Sequence, residues 1–367
     1  MCEQNSQEGG SKTRILVLNP GSTSTKLALF DDDQMLVADS LFHPPNELEA
    51  CGLVINQYNL RKEAILDFLK IKDVTLSSLA AIVGRGGLTK PLAGGTYRIN
   101  QPMLNDLKSA RWGEHASNLG PILAYELAEE AGGIPAFIVD PVVVDELDDV
   151  ARISGLPELP RHSKFHALNQ KAAARRAAKA LASSYEKLNL IVVHMGGGVS
   201  IGAHKQGRVV DVNNALDGEG PMSPERSGTL PAGDLVRLCY SGNFTFQEVM
   251  RLVKGRGGFM AHLGTTNTRE VQQRVKTGDS QAKLVFRALA YQVAKSICAL
   301  TAVFGNAPDA IVLTGGMAHS ELLTSWIKEQ VEFLAPVLIY PGEGEMEALA
   351  QGALRVLNKK ETAKVYI

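Results

Sequence analysis

The chain reads as an α/β protein of two duplicated domains, each a mixed five-stranded sheet flanked by helices. Three observations predict this: a length beyond what one core usually organises, a strand, glycine-turn and hairpin unit that occurs twice, and alternating helical and strand patterns after each copy. With 367 residues two domains are the natural count, and two domains imply a cleft.

The first copy begins at Arg14 with RILVLN, turns at PGSTS and continues as the hairpin TKLALFDDDQMLVADS. The patterns that follow predict a helix over 60–69, a strand over 79–84, a helix over 119–131 and a strand over 135–140. The second copy begins at Asn189 with NLIVVH, turns at MGGGV and continues as SIGAHKQGRVVDVNN. After it come a helix over 279–304, a strand over 309–314, a helix over 320–335, the strand VLIYPG and a terminal helix from Glu345. Laying Asn19 over His194 brings Gly21 onto Gly196 without a gap, so the repeat includes the turn. The punctuation GLPELP places the boundary: domain I over 13–158 plus 343–367, domain II over 159–342, and a disordered polar tail over 1–12.

Composition excludes several classes. The 38 Lys and Arg nearly equal the 39 Asp and Glu, so no long-range field favours nucleic acid or an anionic membrane, and any anion site is local. Cys2, Cys51, Cys239 and Cys298 form no CxxC pair, against both a zinc site and a disulfide framework, and a reducing cytoplasmic setting fits best. The N-terminal stretch lacks the apolar segment of a signal peptide, and the least polar stretch, 296–308, is short for a bilayer and broken by Gly305, Asn306 and Pro308.

Two loops after buried strands, NPGSTS and HMGGGVS, expose backbone N–H groups with little side chain in the way, as phosphate cradles do. Ser22, Thr23 and Ser24 add hydroxyl donors and Lys26 a charge in the first; His194, Gly196, Gly197 and Gly198 form the second. One glycine loop alone is more often a plain turn, but two at matching positions favour a ligand. A third stretch, TGGMAHS with Gly315 and Gly316, sits at a strand-to-helix turn where a helix N-terminus can meet a nucleotide. No Gly-Lys dipeptide occurs, which rules out a Walker A loop, and no GxGxxG opens a helix after the first strand.

The ordered motifs ILVLNPGSTSTKLALF, VGRGGL, RWGEHASNLGP, FIVDPVVVDEL, RHSKFHALNQKAAA, HMGGGVSIGAHKQGRVVDVNNALDGEGPMSPERSGTLP, AHLGTTNTREV, DAIVLTGGMAHS and GEMEALAQGALRVL span about 14–357. They resemble the butyrate kinases of the acetokinase, or acyl kinase, family within the actin-like ATPase superfamily, and the PERSGTLP segment favours that branch over the acetate kinases. The resemblance implies ribonuclease H-like domains with the nucleotide in the cleft, ATP/ADP and Mg2+, a short-chain carboxylate or acyl phosphate, and a homodimer or higher homo-oligomer. It implies that Asn19, Ser22, Ser24 and Lys26 lie near the transferring phosphoryl group, and that Arg85 and Arg226 face the substrate carboxylate and phosphoryl oxygens. His115 and His166 carry over by motif, as do Asp140 at a strand end and Glu345 as a magnesium-linked acid, with Glu347 two residues on as the alternative. Where the family usually has an aspartate two residues before an arginine, this chain has Asn267 before Thr268 and Arg269, which bears on how the nucleotide is held.

Phosphoryl transfer needs cations and donors around the equatorial oxygens more than covalent help. A carboxylic acid with a pKa of about 4–5 is already ionised at neutral pH, so no general base is required. Asp140 then suits a metal, a water or the orientation of an arginine better than a base. Branched or shorter acids stand as alternative substrates, and a sugar kinase or switch-like ATPase of the same superfold as remoter ones. The run KAAARRAAK over 171–179 reads as a solvated helix face without a ligand.

Overall fold

The computed structural model describes residues 12–367, so the expected tail lies outside the described residues apart from Lys12. Contacts divide the chain into two compact units. Unit 1 comprises the residues up to Lys90, Gly95–Pro141 and Glu345–Ile367; unit 2 comprises Pro91–Gly94 and Val142–Gly344. The division falls at Pro141 rather than near 158. Packing is the reason: Val144 and Leu147 are buried with Phe165, Ala167, Val209 and Val212, which commits the stretch after Pro141 to unit 2.

In unit 1, β1 (Arg14–Pro20) pairs antiparallel with β2 (Ser24–Asp31), and β2 with β3 (Gln34–Phe42). On its other side β1 runs parallel to β4 (Ala81–Gly84), followed by β6 (Ala136–Val139). Ile15, Leu16, Val17 and Leu18 are wholly buried, as a central strand covered on both faces requires. β3 alternates half-buried and exposed residues and forms the sheet edge. Among the described residues the sheet has seven strands, not five, because β5 (Thr96–Arg98) pairs antiparallel with β6 and the strand Lys364–Val365 pairs with β5. Strands of three and two residues carry no readable period.

Unit 2 holds β7 (Asn189–Met195), β8 (Val199–Lys205), β9 (Arg208–Val212), β10 (Ala310–Gly315) and β11 (Val337–Pro341). Their order, β9-β8-β7-β10-β11, repeats the order β3-β2-β1-β4-β6 of unit 1. Asn19 and His194 each stand sixth in a strand of seven. Each loop is closed by a backbone bond, Gly21 N donating to Ser24 O at 2.7 Å and Gly196 N to Gly198 O at 2.9 Å, the second loop being one residue shorter.

The helix Ser280–Thr301 buries Val285, Phe286, Leu289, Val293 and Ile297 in the unit 2 core. With the turn after it, Ser280–Phe304 is long and apolar enough to cross a membrane by length and composition, a property the stretch 296–308 did not reveal by itself. Its buried stripe identifies it as a core helix of unit 2. The solvated face expected over 171–179 also needs correction. Lys171 is 2% exposed; its Nζ pairs with Glu146 at 2.9 Å and donates to Gly207 O at 3.0 Å.

Candidate active site

In unit 1 three of the expected residues meet. Arg85 follows β4, Asn19 stands near the end of β1, and Glu345 opens the helix Glu345–Leu357. Arg85 Nη2 lies 3.1 Å from Glu345 Oε1, and Arg85 Nη1 donates to Glu345 Oε2 at 3.2 Å and to Asn19 Oδ1 at 3.2 Å. Asn19 Nδ2 donates to Glu345 Oε2 at 3.0 Å, closing a triangle of cation, acid and amide. The Arg85 side chain is 42% exposed, so its fork is accessible although paired. Glu347 is exposed, so of the two acids Glu345 is the one built into this cluster.

The first glycine loop, with Ser22 exposed and Ser24 half-buried, is held from below by a residue the sequence did not single out. Arg61, on the helix Tyr58–Ile71, is wholly buried. It donates to Gly21 O at 2.9 Å, Ser24 O at 3.1 Å, Thr25 Oγ1 at 2.9 Å and Gln57 Oε1 at 2.9 Å. With those carbonyls turned onto the guanidinium, the loop's hydroxyls are left for solvent or ligand. Lys26 is exposed on β2.

In unit 2, His194 near the end of β7 is buried, and its ring stacks on His166 with centroids 3.8 Å apart and planes 14° from parallel. Burial first, then the proximity of the His166 ring and the Arg226 guanidinium, holds the His194 imidazole well below its ordinary pKa, so it is neutral at pH 7. Its Nδ1 lies 2.6 Å from Asn169 Oδ1, and His166 Nδ1 lies 2.9 Å from Ser200 Oγ.

Arg226 crosses the second glycine loop. A Cβ on Gly198 would overlap its Nη1 and stand 2.7 Å from its Cζ, so glycine is required there for close approach. Arg226 Nη1 donates to Ala215 O at 2.6 Å, while its buried Nε has no hydrogen-bond partner among the described residues. Burial lowers its pKa from the usual guanidinium value, an effect opposed by Glu225 and Asp217. The GRGG stretch at 255–258 supports this turn: Gly258 has φ +56°, and a Cβ there would overlap Ser223 O.

Of the remaining expected residues, Gly315 lies against the strand end at Met195, where a Cβ would overlap its carbonyl oxygen, and the others described do structural work. His115 caps the short turn Ala116–Asn118, its Nδ1 accepting from Ser117 N at 3.1 Å. Asp140 is buried at φ +38°, and its Oδ1 accepts from Gly95 N at 2.7 Å, a turn brace of the kind aspartate provides. Asn267 caps the helix Thr268–Lys276, its Oδ1 accepting from Arg269 N at 3.0 Å, so the amide does at this helix end what an aspartate would do. Gly315 ends β10, and Gly316 opens a single 3₁₀ turn, Gly316–His319, which separates the strand from the helix Glu321–Val331.

A family model described as the acetokinase family matches residues 159–337. Butyrate kinase 2 of Clostridium acetobutylicum is 55% identical over 355 residues, covering 97% of this chain and 99% of that protein. A crystal structure of Porphyromonas gingivalis acetate kinase matches with a TM-score of 0.77 at 19% identity, over 94% of this chain and 100% of that one. One of a propionate kinase from Francisella tularensis matches with a TM-score of 0.73 at 20% identity, over 92% and 98%.

The duplicated mixed sheets share the fold of the acetate and propionate kinase structures, and membership of the acetokinase family defines a kinase that phosphorylates carboxylates with ATP. The full-length match makes the assignment narrower. The chain belongs to the acetokinase family, and its similarity lies with the butyrate kinases.

Proposed function

We propose that the chain transfers a phosphoryl group reversibly between MgATP and butyrate in the cytoplasm. The supporting observation is the 55% identity to a butyrate kinase across 97% of the chain. In unit 1 we assign Arg85 to the carboxylate and phosphoryl oxygens, Asn19 to the transferring group, and Ser22, Ser24 and Lys26 to the nucleotide phosphates. In unit 2 we assign His166 and Arg226 to the phosphoryl oxygens, and the loop of Gly196, Gly197 and Gly198 with Gly315, Gly316, Asn267 and Arg269 to the nucleotide. His115 is the looser substrate assignment.

Protein-bound magnesium commonly rests on one or two carboxylates plus the substrate phosphates, and Glu345, a half-buried carboxylate among polar neighbours, suits that arrangement. Asp140 is the weaker candidate because it is buried and braces the turn at the Gly95 amide, whereas Glu345 is partly open to solvent. When bound, the ion neutralises charge on the ATP phosphates. A carboxylate oxygen attacks the γ-phosphorus, the bond to the β–γ bridging oxygen breaks, and ADP leaves. No proton moves, because the acid is already ionised. Arg226, with its buried Nε unsatisfied and its fork donors, suits the charge on the equatorial oxygens.

A panel of short acids tests the acyl assignment. Each methylene in an apolar pocket is worth roughly tenfold, so kcat/KM should rise from acetate through propionate to butyrate. A kcat/KM for acetate or propionate equal to that for butyrate overturns it. We also assign self-association to the face around the helix Ala232–Cys239, which buries none of its residues, carries the exposed Val236 and is followed by the exposed Tyr240 and Phe246. Tyr240→Glu should lower the sedimenting mass, and an unchanged mass removes that face.

A further inference from the structure

The stacked histidines rest on a network that the expected site residues do not include. The helix Ala167–Ala180 begins just after His166, and its buried residues Asn169 and Gln170 stand three and four positions on, over the same face as that ring. Each of these amides has its orientation fixed by a backbone carbonyl. Gln170 Nε2 donates to Ser200 O at 3.0 Å, and Asn169 Nδ2 donates to Glu343 O at 2.5 Å, so in both side chains the nitrogen end is identified by what it must donate to.

The remaining hydrogens follow by elimination. Gln170 Nε2 also donates to Ser200 Oγ at 2.7 Å, and a nitrogen of that kind accepts nothing. The Ser200 hydroxyl is wholly buried, and its other partner is His166 Nδ1 at 2.9 Å, so its hydrogen goes there. His166 Nδ1 is therefore the acceptor and Nε2 carries the ring hydrogen. For His194 the logic inverts. Asn169 Oδ1 is an acceptor only, at 2.6 Å from His194 Nδ1, so Nδ1 carries the hydrogen and Nε2 is bare. Behind Gln170, its Oε1 accepts from His204 Nε2 at 2.9 Å, and His204 Nδ1 lies 2.8 Å from the Tyr185 hydroxyl.

We propose that Asn169 and Gln170 are positioning residues that hold the stacked His166 and His194 in opposite tautomers, Nε2–H on His166 and a bare Nε2 on His194. The consequence is directional. His166 offers a donor to an anionic oxygen without first taking up a proton, whereas His194 offers only a lone pair and lies against Gly196, where a Cβ would come 2.9 Å from its Nε2. The tautomers follow from hydrogen bonding alone, while their use in catalysis rests on the assignment of His166 to the phosphoryl group.

Long-range proton–nitrogen correlation spectra of the 15N-histidine-labelled full chain at pH 7.5 read both rings directly. The expected spectrum shows a bare Nδ1 and a protonated Nε2 for His166 and the reverse for His194; like tautomers, or an imidazolium at either position, overturn the proposal. Gln170→Glu replaces both donors to Ser200 with acceptors, so the serine hydrogen turns to the new carboxylate and His166 changes tautomer. Loss of one correctly placed donor should lower kcat by about 10²-fold with KM little changed. Ser200→Thr keeps the hydroxyl and should keep both the tautomer and kcat, whereas Ser200→Ala should lose both. A changed tautomer with unchanged kcat removes the positioning role. The wild-type spectrum stands whether or not the variants fold. If His166→Ala leaves activity intact while that spectrum is as expected, the phosphoryl assignment of His166 fails and the tautomer assignment does not.

Discussion

Gly198→Ala isolates the contribution of Arg226 without touching its side chain. The added methyl would overlap Nη1 and stand 2.7 Å from Cζ, whereas carbon atoms settle at about 3.5–4.0 Å, so the guanidinium must move by about 1 Å or more. The obstacle is the far end of a flexible side chain, and φ at Gly198 lies outside the left-handed region, so the fold should tolerate the methyl. The bond from Nη1 to Ala215 O at 2.6 Å cannot survive the movement. Misplacing a catalytic group by about 1 Å costs on the order of 10²-fold, or about 2.7 kcal/mol of transition-state stabilisation. The assay is kcat/KM for acyl phosphate formation, beside Arg226→Met and the double variant, with thermal unfolding as the control for folding. If the methyl acts through Arg226, the double variant is no worse than Arg226→Met alone. Additive losses would refute the reasoning, since the methyl would then be acting on the phosphate loop itself.

Two further outcomes follow from buried groups. Arg61→Met removes the guanidinium donor from Gly21 O, Ser24 O and the Thr25 hydroxyl, of which the last two keep Gly21 N and His43 Nε2 as partners, so the loss should be about 1–3 kcal/mol in chemical denaturation, and Arg61→Lys should recover only part because an ammonium cannot fork. His194 has its folded-state pKa depressed below the unfolded value of about 6.5, so its contribution is complete above that pH and falls as pH drops toward the folded value. Below about pH 6.5 stability should decline by up to about 1.4 kcal/mol per unit from this group, and His194→Gln should show a shallower slope; an equal slope contradicts the assignment.

Strong periodic segments were legible in the sequence. The runs ILVL and LIVV, each before a glycine turn and a hairpin, gave both sheets their central strands, and laying Asn19 over His194 matched equivalent strand positions. The two added strands of unit 1 were not legible, because their pairing is set by tertiary contacts rather than by their own residues. The unit division was misplaced because GLPELP marks a surface loop, whereas the commitment of 142–158 is decided by Val144 and Leu147 packing into unit 2. Among site residues, the cluster of Asn19, Arg85 and Glu345 assembles from motifs far apart in the chain. Arg61 gave no signal, being a lone arginine on an ordinary helix. Asn169 and Gln170 did give one, since they follow His166 at the spacing that places side chains on one helical face, within a motif singled out for its histidine alone.

The claim that a carboxylate accepts the phosphoryl group is tested most directly by trapping the product. Incubation of the full chain with MgATP, butyrate and hydroxylamine should give butyryl hydroxamate in step with ADP release. ADP release without hydroxamate from butyrate or any other short acid would contradict the account.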